Sequence, residues 1–257
     1  METLANDLHK APSHGWKHYL FEFLMLFLAV TLGSFVENQR EHYVEQERAN
    51  EFANSLVQDL QNDTTAINVH KKAAGIFVSI ADSLLRLSKS RLEGRNAAEF
   101  SFYTRFMYWT VPIIWNRATF EQIKNSGSLR YFKNYKLLEK LMKYNVLVND
   151  IQSESDNNQI RGNMLLNQIN DIIDPVIHHD LSRYMLLDLD TMSGATKENF
   201  FSAKVEPLEN KRNQIKEMLN MIIVQQRNLR FNNASLQQTK ELANELIIDL
   251  KKEYHIE

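Results

Sequence analysis

Residues 19–36 read YLFEFLMLFLAVTLGSFV and form the most apolar stretch of the chain. They contain one charged residue, Glu22, and no proline. At a helical rise of about 1.5 Å per residue they cover about 27 Å, close to the thickness of the hydrocarbon core of a bilayer. The mean hydropathy of the whole chain is only -0.41, so no comparable stretch is expected elsewhere. The stretch predicts one transmembrane helix that contacts membrane lipid.

A cleaved signal peptide is the alternative interpretation of this segment. The apolar run is long for a signal peptide, and Leu32-Gly33-Ser34 is a poor cleavage site. We therefore expect a retained anchor, with a short tail over 1–18, a transmembrane helix over 19–36 and a soluble domain over 37–257. Because a short N-terminal tail usually stays inside, we expect a cytoplasmic N-terminus and an exported C-terminal domain.

Glu22 lies about one helical turn into the predicted span. Its carboxylate could reach back to the interface along the helix, or it could form a polar contact with another transmembrane helix. A proton relay would need a second ionisable group in the membrane, which this span lacks. If Glu22 has a partner in the membrane, that partner belongs to another chain.

Composition limits what the soluble domain can do. The chain has 257 residues and a formal charge of -2, and without residues 1–36 it keeps 28 basic and 29 acidic residues. A neutral domain offers no general attraction for nucleic acid, so no nucleic-acid partner is expected. The 7 glycines and 4 prolines are few and favour long helices with few turns. The absence of cysteine excludes disulfides and thiolate metal sites.

The soluble domain has the apolar period of α-helices. Apolar residues recur every three, four or seven positions from Phe52 to Leu85, which predicts one helix from the span to about residue 90. We expect a turn at 91–97, a long helix over 134–173 with a solvated polar middle at 152–159, and a last helix from Pro207 to about Tyr254. The predicted fold is all-α: a transmembrane helix that continues into a long helix, followed by an elongated antiparallel bundle with coiled-coil packing.

Residues 99–109, EFSFYTRFMYW, are dense in aromatic side chains and predict a short helix that Pro112 ends or bends. These rings can fill a core, or they can line a ligand pocket between helices that includes Phe106, Trp109 and Trp115. Core packing explains the same residues without a ligand and is the preferred interpretation.

The best-defined local motif is a corner within residues 117–132. Phe120 and Ile123 form a short apolar face, Gly127 stands where a helix ends in the left-handed conformation, and Leu129 and Phe132 restart the helical period. A helix-turn-helix DNA reader has a comparable outline. The neutral charge of the domain favours a structural corner between two helices instead.

Few residues suggest chemistry. His178-His179-Asp180 is the one cluster of potential metal ligands, and adjacent side chains on a helix diverge by about 100°. The sequence contains no HExxH, GxSxG, GxxxxGK[ST] or GxGxxG motif. We therefore expect a protein that is not an enzyme, with no catalytic residue, no metal and no cofactor.

Three features resemble one uncharacterised family, a domain of unknown function typical of Bacteroidota. They are the span with a single Glu22, the polar exit Glu37-Asn38-Gln39-Arg40-Glu41, and the segment TFEQIKNSGSLRYFKN at 119–134. The resemblance covers residues 1–65 and 115–150. It implies a single-pass inner-membrane protein with a helical periplasmic domain, and it carries over no catalytic or ligand residue.

These observations predict a non-enzymatic, membrane-anchored helical bundle that contacts envelope proteins or itself, as a scaffold or accessory subunit. Signalling would need a partner helix, for which Glu22 is the candidate contact. The alternative is a periplasmic ligand-sensing bundle that signals through a partner membrane protein, with the ligand between the aromatic side chains near Trp109 and Trp115.

Overall fold

The computed structural model describes residues 15–256. This part of the chain is helical and contains no β-strand, which confirms the all-α prediction. Its α-helices, in chain order, are α1 (Trp16–Leu87), α2 (Gly94–Thr104), α3 (Ala118–Asn125), α4 (Tyr135–Asn170), α5 (Pro175–Asp180), α6 (Asp188–Thr191), α7 (Gly194–Phe201) and α8 (Arg212–Tyr254). Short 3-10 helices span Ser128–Tyr131 and Glu209–Lys211.

The contacts of the chain divide it into two units, Met1–Glu51 and Phe52–Glu257. In the first unit, every side chain from residue 15 to residue 43 is exposed. An 18-residue window of α1 has a mean hydropathy of 2.0 and none of it is buried. In the described part of the chain α1 is therefore the one candidate for a membrane span. Residues 1–14 of the predicted tail lie outside the described residues.

In the second unit, α8 runs antiparallel to both α1 and α4. Lys71 Nζ donates to Gln237 Oε1 at 2.7 Å, and Lys240 Nζ donates to Asn68 Oδ1 at 2.8 Å. The residue number of the contact therefore increases along α1 as that of its partner decreases along α8. Between α4 and α8, Asn134 contacts Glu253 and Lys140 contacts Asp249, with the same opposed order. The predicted antiparallel bundle is confirmed.

The three long helices bury stripes whose positions alternate between steps of three and four residues. This average of 3.5 residues keeps one face of each helix toward its neighbours over many turns. These stripes run through positions 53, 56, 60, 63, 67, 70, 74, 77, 81 and 84 of α1; 137, 141, 144, 148, 151, 155, 158, 162, 165 and 169 of α4; and 215, 218, 222, 225, 229, 232, 236, 239, 243, 246 and 250 of α8. Further residues beside the stripes, such as Val57, Ile80 and Leu219, are also buried.

The aromatic segment at residues 99–109, which begins in α2 and continues past its end, fills the core at one end of this unit. Phe100, Phe102 and Phe106 are fully buried. The Phe102 ring lies 5.2 Å from the ring of Phe201 in α7 and 5.5 Å from that of Phe106, at edge-to-face angles that aromatic pairs favour. These rings therefore pack as core, which is the interpretation that the sequence favoured.

Several predicted boundaries are wrong, for local reasons. The predicted turn at 91–97 is too long, because α2 already begins at Gly94, and α2 ends at Thr104, well before Pro112. The helix predicted over 134–173 begins at Tyr135, since the Asn134 side chain accepts a hydrogen bond from the backbone N–H of Leu137 and caps it.

Two further expectations along α4 and α8 also fail. The polar stretch at 152–159 is not wholly solvated, because Asn158 belongs to the buried stripe and is 5% exposed. The last helix does not start at Pro207; a 3-10 turn precedes it and α8 begins at Arg212. The predicted end of that helix at Tyr254 is confirmed.

Candidate functional site

Glu22 lies on the exposed surface of the first unit. Within the described chain its carboxylate has no hydrogen-bond or ion-pair partner. Steps of four, three and four residues place Glu22, Leu26, Ala29 and Gly33 on one face of α1. A β-carbon built at Gly33 meets no atom within 4 Å. The single carboxylate of the span therefore shares an exposed face with Ala29 and Gly33.

The corner predicted at residues 117–132 is a packed structural element. Gly127 has φ 72°, the left-handed conformation that the sequence predicted. Phe120, Ile123 and Phe132 are buried and Leu129 is half-buried in the same apolar cluster. The other members of that cluster come from α1, α4 and α8 and include Leu56, Leu60, Leu141, Leu246 and Leu250. The corner therefore packs its apolar face into the core formed with these helices.

A buried carboxylate, Asp63, binds the segment that leads into this corner. Asp63 is 2% exposed, and its Oδ1 accepts from the backbone N–H of Asn116 at 2.8 Å and from the Asn116 side chain at 3.0 Å. Its Oδ2 accepts from the Tyr144 hydroxyl at 2.7 Å. Asp63 therefore joins α1, the segment before α3, and α4 through three hydrogen bonds.

Burial dominates the electrostatics of this cluster. It raises the pKa of Asp63 despite the three donors, and the neighbouring Asp59 raises it further. Burial and the Asp63 charge also raise the pKa of Tyr144, so its phenol stays protonated and donates. The adjacent void is about 20 Å³, too small for a substrate. The arrangement acts as a fixed hydrogen-bonded junction between these elements.

The three residues of the predicted pocket do not meet in one cavity. Phe106 is fully buried in the core at the α2 end, and Trp115 packs beside Ile67 and Ile113. Trp109 lines a cavity of about 30 Å³ whose other walls come from all three long helices. A volume of this size matches about one water molecule.

The three long helices contribute four polar residues to the walls of this cavity, His70, Ser155, Asn158 and Gln225. No motif in the sequence singles out any of these residues. His70 Nδ1 donates to the Val111 carbonyl, and burial lowers the pKa of His70, so the ring is neutral. The signal that could have identified them is their spacing, because each occupies a position in a mainly apolar stripe of 3.5-residue period and is therefore expected to face the core.

Arg105 is a buried cation, and its burial is also not predicted by the sequence pattern. It is 3% exposed, and its guanidinium carbon lies 5.0 Å from the ring centroid of Tyr108 and 5.9 Å from that of Trp109. Among the described residues its Nε and Nη1 have no hydrogen-bond partner. Burial and the Arg105 charge lower the pKa of His178. Arg105 is thus held by cation–π contacts with the aromatic segment.

A second polar cluster joins the end of α1 to the start of α8. Arg212 donates to the carbonyls of Ser88 and Ser90 at 2.6 Å each and binds Glu209 through two nitrogens. Glu209 also accepts from the backbone N–H of Leu92 at 2.5 Å. Hydrogen bonding to Arg212 and to Leu92 lowers the pKa of Glu209 to about 2. These bonds satisfy carbonyls that the end of a helix leaves unpaired.

An open surface groove of about 550 Å³ is lined by residues that include His179, Asp180 and Arg183. Across residues 15–256, no group of three or more His, Cys, Asp or Glu side chains is placed to hold a metal ion, and His178-His179-Asp180 forms the end of α5. An open surface groove of about 470 Å³ lies beside α1, where Lys72 Nζ is 2.7 Å from Asp190 Oδ2.

Comparison with known protein families, with curated proteins and with solved structures finds no match to this chain.

Proposed function

We propose that this chain is a membrane-anchored helical-bundle protein that works by protein–protein contact in the cell envelope, as a scaffold or accessory subunit. The observation that carries the proposal is the open face of α1 with Glu22, Leu26, Ala29 and Gly33. No catalytic role is part of the proposal.

A carboxylate inside a bilayer is costly unless it reaches water or a polar partner. Thr31 shows how this span satisfies another polar group internally, since its hydroxyl donates to the Phe27 carbonyl at 2.8 Å. Glu22 has no such arrangement within the described chain. Small residues allow a second helix to approach closely, and Ala29 and Gly33 lie on the Glu22 face. This combination favours contact with another transmembrane helix.

We further propose an inner-membrane location with the N-terminus in the cytoplasm and the bundle in the periplasm. The support is the family resemblance of residues 1–65 and 115–150, together with the usual retention of a short N-terminal tail. The chain lacks cysteine, so a single cysteine placed on the bundle reports its compartment. An impermeant thiol reagent should label Asn233→Cys, on the exposed surface of α8, in intact spheroplasts. Labelling only after lysis would contradict the orientation.

Within the bundle, we propose coiled-coil packing of α1, α4 and α8. The strict alternation of three- and four-residue steps in their buried stripes supports this description. Such packing gives the domain stable surfaces without an internal binding chamber. The cavity of about 30 Å³ beside Trp109 therefore favours the contact function over the ligand-sensing alternative, since drug-sized ligands need ~300 Å³ or more.

Cysteine crosslinking in native membranes tests the proposal directly. We expect Leu26→Cys, on the Glu22 face, to form a disulfide or a bismaleimide adduct, either with a second copy of the 30.1 kDa chain or with a cysteine-bearing partner. The matched control is Leu24→Cys, which lies on the opposite side of the same turn. The proposal predicts little product from it.

Two further results bear on the same proposal. Glu22→Leu combined with Leu26→Cys should reduce the crosslinked product, because the polar contact is lost. Purification in a mild detergent that returns only this chain, as a monomer, together with equal crosslinking at positions 24 and 26, would refute a specific contact at this face.

A further inference from the structure

The core of the bundle contains a cavity with polar residues of α1, α4 and α8 in its walls. His70, Asn158 and Gln225 each occupy a position in the buried stripe of its helix, and all three line one cavity of about 30 Å³. Trp109, from the segment that follows α2, forms another wall. Polar residues at such positions are costly unless their hydrogen bonds are satisfied.

Two polar atoms of the residues that line this cavity lack a partner in the described chain. Trp109 Nε1 is buried and can only donate, while Gln225 Oε1 is buried and can only accept. Gln225 is 2% exposed, so bulk water does not satisfy it. An unpaired buried group of this kind costs about 1–3 kcal/mol, and the two atoms have complementary needs.

We propose that the cavity binds one ordered water that accepts from Trp109 Nε1–H and donates to Gln225 Oε1. The cavity volume of about 30 Å³ is sufficient, since one water needs a cavity of at least about 10–15 Å³. Buried waters make two to four hydrogen bonds, and Ser155 and Asn158 also line this cavity.

The water links a side chain of α8 to the segment after α2. The bridge favours one alignment of these two elements, because shifting α8 by a turn would carry Gln225 away from Trp109. Thr239 lies further along the buried stripe of α8 and differs, since its hydroxyl donates to the Ser235 carbonyl at 2.8 Å within its own helix. Thr239 therefore supplies a matched internal control.

Nuclear magnetic resonance on the full chain in mild detergent tests the proposal. The sequence has 3 tryptophans, so selective ¹⁵N labelling gives three indole N–H signals, and Trp109→Phe identifies the relevant one. We expect a water NOE at the Trp109 indole proton with the sign of a water that tumbles with the protein. A rotating-frame measurement separates this NOE from chemical exchange.

The variants then identify the second partner of the water. Gln225→Leu and Gln225→Met should abolish the NOE, while Thr239→Val should leave its intensity unchanged. If a Gln225 variant fails to fold, the wild-type measurement still decides the presence of the water. No NOE at the wild-type Trp109 indole, or an undiminished NOE in a folded Gln225 variant, would overturn the proposal.

Discussion

Gly162 tests how closely the segment after α2 approaches α4. A β-carbon at this position would lie 2.8 Å from the Tyr108 carbonyl oxygen and 3.1 Å from Thr110 Cγ2. The nearer obstacle is backbone, which cannot turn aside as a flexible side chain can. Gly162→Ala therefore requires α4 and residues 108–110 to separate.

The magnitude follows from two opposed effects. Overpacking a closed core costs up to about 3 kcal/mol, and alanine recovers about 1 kcal/mol over glycine in a helix interior. We expect Gly162→Ala to lower the free energy of unfolding by about 2 kcal/mol and Tm by about 4–8 °C for a chain of this size. The measurement is thermal unfolding of the full chain in mild detergent, followed by far-UV circular dichroism.

Gly75 provides the matched control in the interior of α1. It is exposed, and a β-carbon there meets no atom within 4 Å. Gly75→Ala should therefore raise stability by up to about 1 kcal/mol. If Gly162→Ala is as stable as Gly75→Ala, the described contact between α4 and residues 108–110 is wrong.

Three further substitutions test other parts of the bundle. Gly127→Val places a branched side chain at φ 72° and should cost about 1–2 kcal/mol in urea unfolding; an unchanged midpoint would refute the left-handed corner. Arg212→Lys cannot reproduce the forked contacts with two carbonyls of the α1 end and should cost about 1–2 kcal/mol, also read from the urea midpoint. The lowered pKa of His70 means that the unfolded chain binds its proton more readily, so stability is lost as pH falls below about 6.5. The urea midpoint should therefore drop less for His70→Asn than for wild type between about pH 7.5 and about pH 5.5, and equal drops would contradict the assignment.

The long helices and the corner were predictable because their signals are local. Apolar spacing predicts both ends of α1 to within a few residues and the C-terminal end of α8 at Tyr254. A glycine after Asn125-Ser126 predicts the left-handed conformation at Gly127. In each case the physical cause lies within one or two helical turns of the residue concerned.

The polar contacts of the core could not be predicted, since their partners are distant in sequence. Asp63 binds a tyrosine hydroxyl 81 residues away, and Arg212 binds carbonyls more than 120 residues away. Gly162 gave no helix-breaking signal, because its role is the close approach of another backbone. Asn158 belongs to a polar run that predicts solvation, yet it is buried and lines the cavity beside Trp109. Nothing in the local pattern specifies these tertiary neighbours.

The antiparallel placement of α8 has a consequence for protein synthesis. The contacts between Asn68 and Lys240 and between Lys71 and Gln237 join residues 172 and 166 positions apart. At about 5–20 residues per second, a ribosome needs on the order of ten to thirty seconds between the two ends of such a contact. During that interval the apolar stripe of α1 has emerged without the helix that covers it, and pairing of two nascent chains competes with correct folding. The rate of translation and the presence of a holding chaperone should therefore govern the yield of folded protein.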